Sequence, residues 1–259
     1  MLGRRDYTII TCHFGDPFWV RHCLTQVDRL SDDRIAGVIV VDQDRGSSAE
    51  LARLPRVSSV VEFRVDEEQV EILGHDHPAS LNRALAEVQL DTSHVIVLDS
   101  DCFPVDDRWL GLLQDITLAA DPAKWGLTHP CLMAFPAAYA RQVDFAEGLH
   151  EVGIDTGRLV GLQLARRGAE VSITRPEGAF RGKRGTFYLD RSIYHHGSSS
   201  FASSTDPRLN SVINPPMEAL YRDCVTRGRF ELSAGERARL AARGLVRSSA
   251  SAARRAVSR

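Results

Sequence analysis

His94-Val95-Ile96-Val97-Leu98-Asp99-Ser100-Asp101 decides the reading of this chain. Its apolar part runs without polar alternation, as in a strand buried on both faces of a parallel sheet, and it stops on two carboxylates one residue apart. In open α/β sheets ligands gather beyond the carboxyl ends of the strands. The same pattern recurs upstream. Tyr7 to Cys12, Ile35 to Val41 and Val57 to Phe63 read as strands, the second ending at Asp42-Gln43-Asp44-Arg45-Gly46. Helical patterns separate them: Asp16-Pro17 is an N-cap and first helical position before Val20, Leu24, Val27 and Leu30, and Pro78 to Val88 carries Leu81, Leu85 and Val88 inward. This alternation predicts right-handed βαβ units and a mostly parallel α/β sheet, with Thr11, Asp42, Asp99 and Asp101 facing one crevice.

Downstream the pattern loosens. A helix is predicted over Asp107 to Ala119, and one or two short strands over Trp125 to Phe135. Asp155-Thr156-Gly157 opens a helix carrying Leu159, Leu162, Ala165 and Arg166 before Gly168. Ala169 to Thr174 reads as a short strand, Arg181 to Gly185 as a basic loop, and Thr186 to Tyr194 as a final strand ending in His195-His196-Gly197. With no internal repeat and no linker before Ser233, the expectation is one domain over 1–232, its donor half about 1–110 and its acceptor half about 111–232, followed by a basic, flexible tail over 233–259.

Composition narrows the function classes. The 259 residues are 43% hydrophobic and 25% charged, which fits a globular domain and excludes wholesale disorder. A net charge of −2 argues against a nucleic-acid wrapper. The tail holds seven arginines against Glu236, so residues 1–232 carry −8. Five scattered cysteines without a C-x-x-C spacing fit a reducing compartment. The N-terminus lacks the apolar core of a signal peptide, and no stretch approaches eighteen apolar residues, so the expected location is cytoplasmic.

Asp99 and Asp101 are costly neighbours unless a cation joins them. A hard divalent ion, Mg²⁺ or Mn²⁺, answers that need, because it prefers one or two carboxylates together with phosphate oxygens and water. The bland alternative is that Asp99 caps the turn while Asp101 is solvated.

Taken together, Thr11, Val40-Val41-Asp42, the Gly74 to Asn82 segment and Val97 to Asp101 resemble the nucleotide-binding half of family 2 glycosyltransferases with the GT-A fold, over roughly residues 7–110. The resemblance implies that Thr11 and Asp42 line the base and ribose pocket, that Asn82 and Ser100 belong to the donor-binding segments, and that Asp99 lies near the ribose or the ion. Asp101 would ligate the metal that bridges the donor diphosphate. One of His195 and His196 would supply a further metal ligand or touch the diphosphate; adjacent strand residues point to opposite faces, so only one can. Asp155 would be the general base that activates an acceptor hydroxyl, a role worth ~10²–10⁴-fold. The competing reading makes Asp155 a helix N-cap, with Glu147 and Glu151 as substitutes for the base. One departure from the family is Asp42-Gln43-Asp44-Arg45, which stands where an aspartate-aspartate-glycine-serine turn is common.

His75-Asp76-His77 reads as a pocket-edge loop, since nothing nearby completes a zinc set. Arg181, Lys183 and Arg184 read either as a lid over a diphosphate or as a solvated loop. Trp19 and Trp109 read as core, and Trp125 is the candidate for stacking on an acceptor. The tail's arginines admit weak peripheral contact with anionic lipid. The expected function is an inverting, divalent-metal-dependent glycosyltransferase with a nucleotide-sugar donor and a glycan, lipid-linked or small-molecule acceptor, and no nucleic-acid partner. The alternatives are a nucleotidyltransferase, which normally needs a glycine-rich basic loop that Thr11 to Asp16 lacks, and a non-catalytic sugar-nucleotide-binding protein.

Overall fold

The structure, a computed structural model, describes residues 6–43, 46–63, 77–121, 127–148, 156–182, 184–197 and 215–239. Four parallel strands form one half of the main sheet: β1 (Tyr7–His13), β2 (Ile35–Asp42), β3 (Val57–Glu62) and β4 (His94–Leu98). They lie in the order β3-β2-β1-β4. Past β4 the direction reverses. β7 (Thr128–Pro136) pairs antiparallel with β4, β6 (Thr117–Ala120) antiparallel with β7, and β8 (Ser172–Thr174) parallel with β6, completing a seven-stranded, mostly parallel sheet. The mixed α/β class expected from the sequence is therefore observed.

Period-two alternation sorts the two faces. Tyr7 and Ile9 of β1, Val38 and Val40 of β2, and Ile96 and Leu98 of β4 pack on one side with Trp19, Val20, Leu24 and Val27 of α1 (Phe18–Leu30). Ile10, Ile39, Val41, Val95 and Val97 pack on the other, against Leu81 and Leu85 of α3 (His77–Glu87) and Val160 and Leu164 of α5 (Val160–Arg166). Asp16 caps α1 as expected, its Oδ1 accepting the Phe18 amide at 2.9 Å. A short helix, α2 (Ser48–Leu51), links β2 to β3.

A second, four-stranded sheet covers the α1 face. It comprises β5 (Cys102–Pro104), β11 (Ile193–His195), β10 (Thr186–Tyr188) and β9 (Glu177–Gly178), in that order. Tyr221, Cys224 and Val225 of α6 (Pro215–Thr226) join the same core.

Four sequence expectations change in the second half. The helix predicted over Asp107 to Ala119 is only α4 (Trp109–Leu112), because Thr117–Ala120 is drawn into the main sheet between β7 and β8. The single strand predicted over Thr186 to Tyr194 is a hairpin, β10 and β11, whose turn holds Leu189, Asp190 and Arg191 at φ of 48°, 50° and 62°. In α5 the inward residues are Val160, Gly161, Gln163 and Leu164, while Leu162 is 49% exposed. Gly161 permits this seating, since a Cβ there would come within 2.9 Å of Thr128 Cγ2 and 3.1 Å of Leu118 Cδ1. Finally, the tail does not begin at Ser233. Residues 234–239 are helical, and Ser233 and Glu236 exchange backbone-to-side-chain hydrogen bonds as a capping box. The remainder, 240–259, lies outside the described residues. No helix among the described residues is long and apolar enough to cross a membrane, and all five cysteines are free and buried.

Candidate metal centre at the end of the fourth strand

β4 delivers Asp99 to the carboxyl edge of the sheet, where the chain turns at once. The Cys102 amide donates to the Asp99 carbonyl at 2.9 Å, closing a tight turn with Ser100 on its crest and Asp101 at its third position. That turn leads straight into β5, whose partner is β11. Cys102 pairs with His195, and the His196 amide donates to the Asp101 carbonyl at 2.9 Å. β7 runs back along β4, and the Asp99 amide donates to the Cys131 carbonyl at 3.3 Å. Three strands far apart in sequence thus converge on one turn.

The side chains converge with them. Asp99, Asp101 and His195 each offer a ligand atom within 4.8 Å of the others. His195 Nε2 lies 3.4 Å from Asp101 Oδ1 and 3.6 Å from Asp99 Oδ2, while His77 Nε2 and His129 Nδ1 stand 3.6 and 3.9 Å from the Asp99 oxygens. Burial raises the Asp99 carboxyl to about 7; the charges of Cys131 and Asp101 push the same way, and His129 and His195 oppose them. Burial alone would discharge His195, but the negative charge of Cys131 and Asp101 outweighs it and holds the imidazole protonated well above its usual range. A proton on His195 therefore occupies the position in which a divalent ion would neutralise the carboxylates. Asp99 Oδ1 is buried without a hydrogen-bond partner among the described residues. Carboxylate and imidazole donors at these separations, one oxygen still unmet, fit Mg²⁺ or Mn²⁺ held by Asp99, Asp101 and His195.

The two adjacent histidines have separate fates. His195 faces the acidic pair. His196 turns into the core: its ring stacks on Trp19 at 4.2 Å, Nδ1 meets Tyr194 Oη at 2.8 Å, and Nε2 meets Glu218 Oε1 at 2.7 Å. His196 is thereby excluded as a metal ligand. The same network holds Arg184, which donates to Glu218 Oε2 at 3.2 Å and lies 3.0 Å from His196 Nε2, so Arg184 is a half-buried strut tied into the core network. Arg181 is exposed, and Lys183 lies outside the described residues.

Other expected residues serve local structure. Asp42 is 2% exposed, and its two oxygens accept from Ser47 and Ser48 hydroxyls at 2.7 and 2.8 Å, pinning the turn after β2. Thr11 is fully buried two residues before the end of β1, its hydroxyl making no hydrogen bond among the described residues. Asn82 clips α3 to the segment after β7, donating to Asp144 Oδ1 at 2.6 Å and accepting the Phe145 amide at 2.9 Å. Neither Asp42 nor Asn82 thus keeps both ends of its polar group open to a donor. Glu147 pairs with Arg166 at 3.2 Å. Trp19 and Trp109 are core, as expected. Asp155, Glu151, Trp125, His75 and Asp76 lie outside the described residues.

Sequence reasoning missed His129 and Cys131 and set His77 aside as a pocket edge. The x-His-x-Cys pattern at the start of a strand was a usable signal, because alternate residues share a face. What the sequence hid was the antiparallel pairing that turns that face toward Asp99.

No family model matches the sequence, and no curated protein matches it. Among solved structures, 4-diphosphocytidyl-2C-methyl-D-erythritol synthase from Anaerococcus prevotii is similar with a TM-score of 0.48 at 10% identity, over 68% of this chain and 90% of that chain. A likeness at that level identifies neither a family nor a reaction.

Proposed function

We propose that this chain is a divalent-metal-dependent transferase of GT-A type that moves a glycosyl group from a nucleoside diphosphate to an acceptor hydroxyl with inversion. The observation that carries this reading is the Asp99, Asp101 and His195 cluster at the carboxyl edge of a mostly parallel sheet. A bound Mg²⁺ or Mn²⁺ would offset the negative charge that collects on the departing diphosphate. The chain's own residues hold and orient. Asp99 and Asp101 supply oxygens from one rigid turn, and His195 releases its proton to accept a cation. In this reading Asp155 removes the acceptor proton.

Nucleotidyl transfer is the second reading, since the same ion position can hold the phosphates of a nucleoside triphosphate. Against it stands the loop after β1. Phe14-Gly15-Asp16 has no lysine or arginine, and Asp16 is engaged by Arg222 and by the Phe18 amide. The product separates the readings. Incubation with a sugar-nucleotide panel and Mn²⁺ is expected to release nucleoside diphosphate slowly, and Asp101→Asn is expected to abolish that release. Pyrophosphate released from a nucleoside triphosphate plus a sugar phosphate would favour nucleotidyl transfer, and binding without turnover a non-catalytic protein.

A further inference from the structure

Beside the acidic pair, three donors of softer chemistry meet. A ligand atom from each of His129, Cys131 and His195 lies within 4.8 Å of the other two. His129 and Cys131 are alternate residues of β7, and His195 reaches them from the small sheet on β11. Cys131 is fully buried, whereas the His129 and His195 side chains are 23% and 13% exposed, so the cluster is closed at the sulfur and open at the imidazoles. The two rings are tilted by 42° with centroids 5.3 Å apart, so they do not stack on one another. Asp99 Oδ2, 3.6 Å from His195 Nε2 and 3.9 Å from His129 Nδ1, stands at a fourth corner. A tetrahedral ion with bonds of 2.0–2.3 Å needs edges of about 3.3–3.8 Å, so small side-chain rotations suffice to close the set.

We propose that His129, Cys131 and His195 form a second cation site that takes a borderline divalent ion of the zinc class, with Asp99 or water completing a tetrahedron. The donor set selects the ion: one thiolate and two imidazoles suit Zn²⁺, whereas Mg²⁺ prefers a set dominated by oxygen ligands and gives up water reluctantly. On binding, the Cys131 thiolate forms a sulfur–metal bond and His195 gives its proton to the buffer as its ring nitrogen forms a nitrogen–metal bond, with no change in oxidation state. His195 belongs to both sets. A zinc-class ion therefore withdraws it from Asp101, and the two sites compete.

The test uses the metal-free full chain and Co²⁺ alone, a tetrahedral stand-in for zinc with a visible spectrum. The expected result is a near-ultraviolet sulfur-to-cobalt absorption that one equivalent of Zn²⁺ removes. Cys131→Ser is expected to abolish that absorption and weaken Zn²⁺ binding by at least roughly 100-fold, since even partners outside the ligand shell cost 10–100-fold. Cys102→Ser, the neighbouring thiol, and Asp101→Asn are each expected to retain the absorption. A wild-type chain without it, or a Cys131→Ser chain that keeps it, overturns the proposal. If Cys131→Ser fails to fold, His129→Gln decides: undiminished Zn²⁺ affinity in calorimetry overturns the site, and a loss of tenfold or more sustains it. The readout is metal binding, so its outcome is independent of the proposed transfer reaction.

Discussion

His195 and His196 are adjacent, chemically identical and oppositely used. Strand alternation sends one to the acidic pair and the other under Trp19. His195→Ala is expected to lower Mn²⁺ affinity at least tenfold in calorimetry; it also removes the positive charge that faces Asp99 and Asp101, so the metal-free thermal midpoint falls as well. His196→Ala is expected to hold Mn²⁺ affinity within a few-fold. It strands the buried Tyr194 hydroxyl and takes one partner from Glu218, which keeps Arg184, and so costs roughly 1–3 kcal/mol in denaturant unfolding. Equal behaviour of the two variants would contradict the assignment.

At the scale of elements, α1 carries a pH-sensitive contact between the sheets. His22 stacks parallel to Phe18 at 5.9 Å and edge-on to Phe103 of β5 at 4.6 Å. Burial, aided by Arg29, lowers its pKa to about 4 from an ordinary 6.5. Below about pH 6.5 the unfolded chain takes up a proton that folded His22 refuses, so stability falls as pH drops from 6.5 toward 4. His22→Gln is expected to make that decline shallower than in the wild type, as measured by urea midpoints across this range. Parallel curves would remove His22 from the pH response. The elements the sequence misjudged share one cause. β6, α4 and the β10–β11 hairpin are short, and their type is set by neighbours: β7 and β8 claim Thr117–Ala120, and three left-handed residues fold Thr186 to His195 back on itself.

For the whole molecule, the acidic turn is one of the places where the two sheets are joined, since β4 ends and β5 begins on either side of it. An ion at Asp99, Asp101 and His195 would tie both sheets together and bind only the folded chain. At 100 times its dissociation constant such an ion adds about 2.7 kcal/mol. Mn²⁺ is therefore expected to raise the thermal midpoint by several degrees, a chelator to reverse the rise, and Asp101→Asn to abolish it. A midpoint indifferent to Mn²⁺ would argue that the carboxylates hold only the His195 proton.

The sequence by itself determined the parallel half of the sheet and the position of the acidic pair. Those follow from local rules: apolar runs that must be buried on both faces, and polar residues where each run stops. It also placed a histidine near the pair without deciding which one. Only the tertiary structure chose His195 over His196, committed Asp42 and Asn82 to intramolecular bonds, and brought His129 and Cys131 beside Asp99. The reason is physical. Burial and strand ends are written in the order of residues along one segment, whereas a ligand set depends on the pairing and register of strands whose partners lie 34 to 93 positions apart, and no local pattern encodes that register.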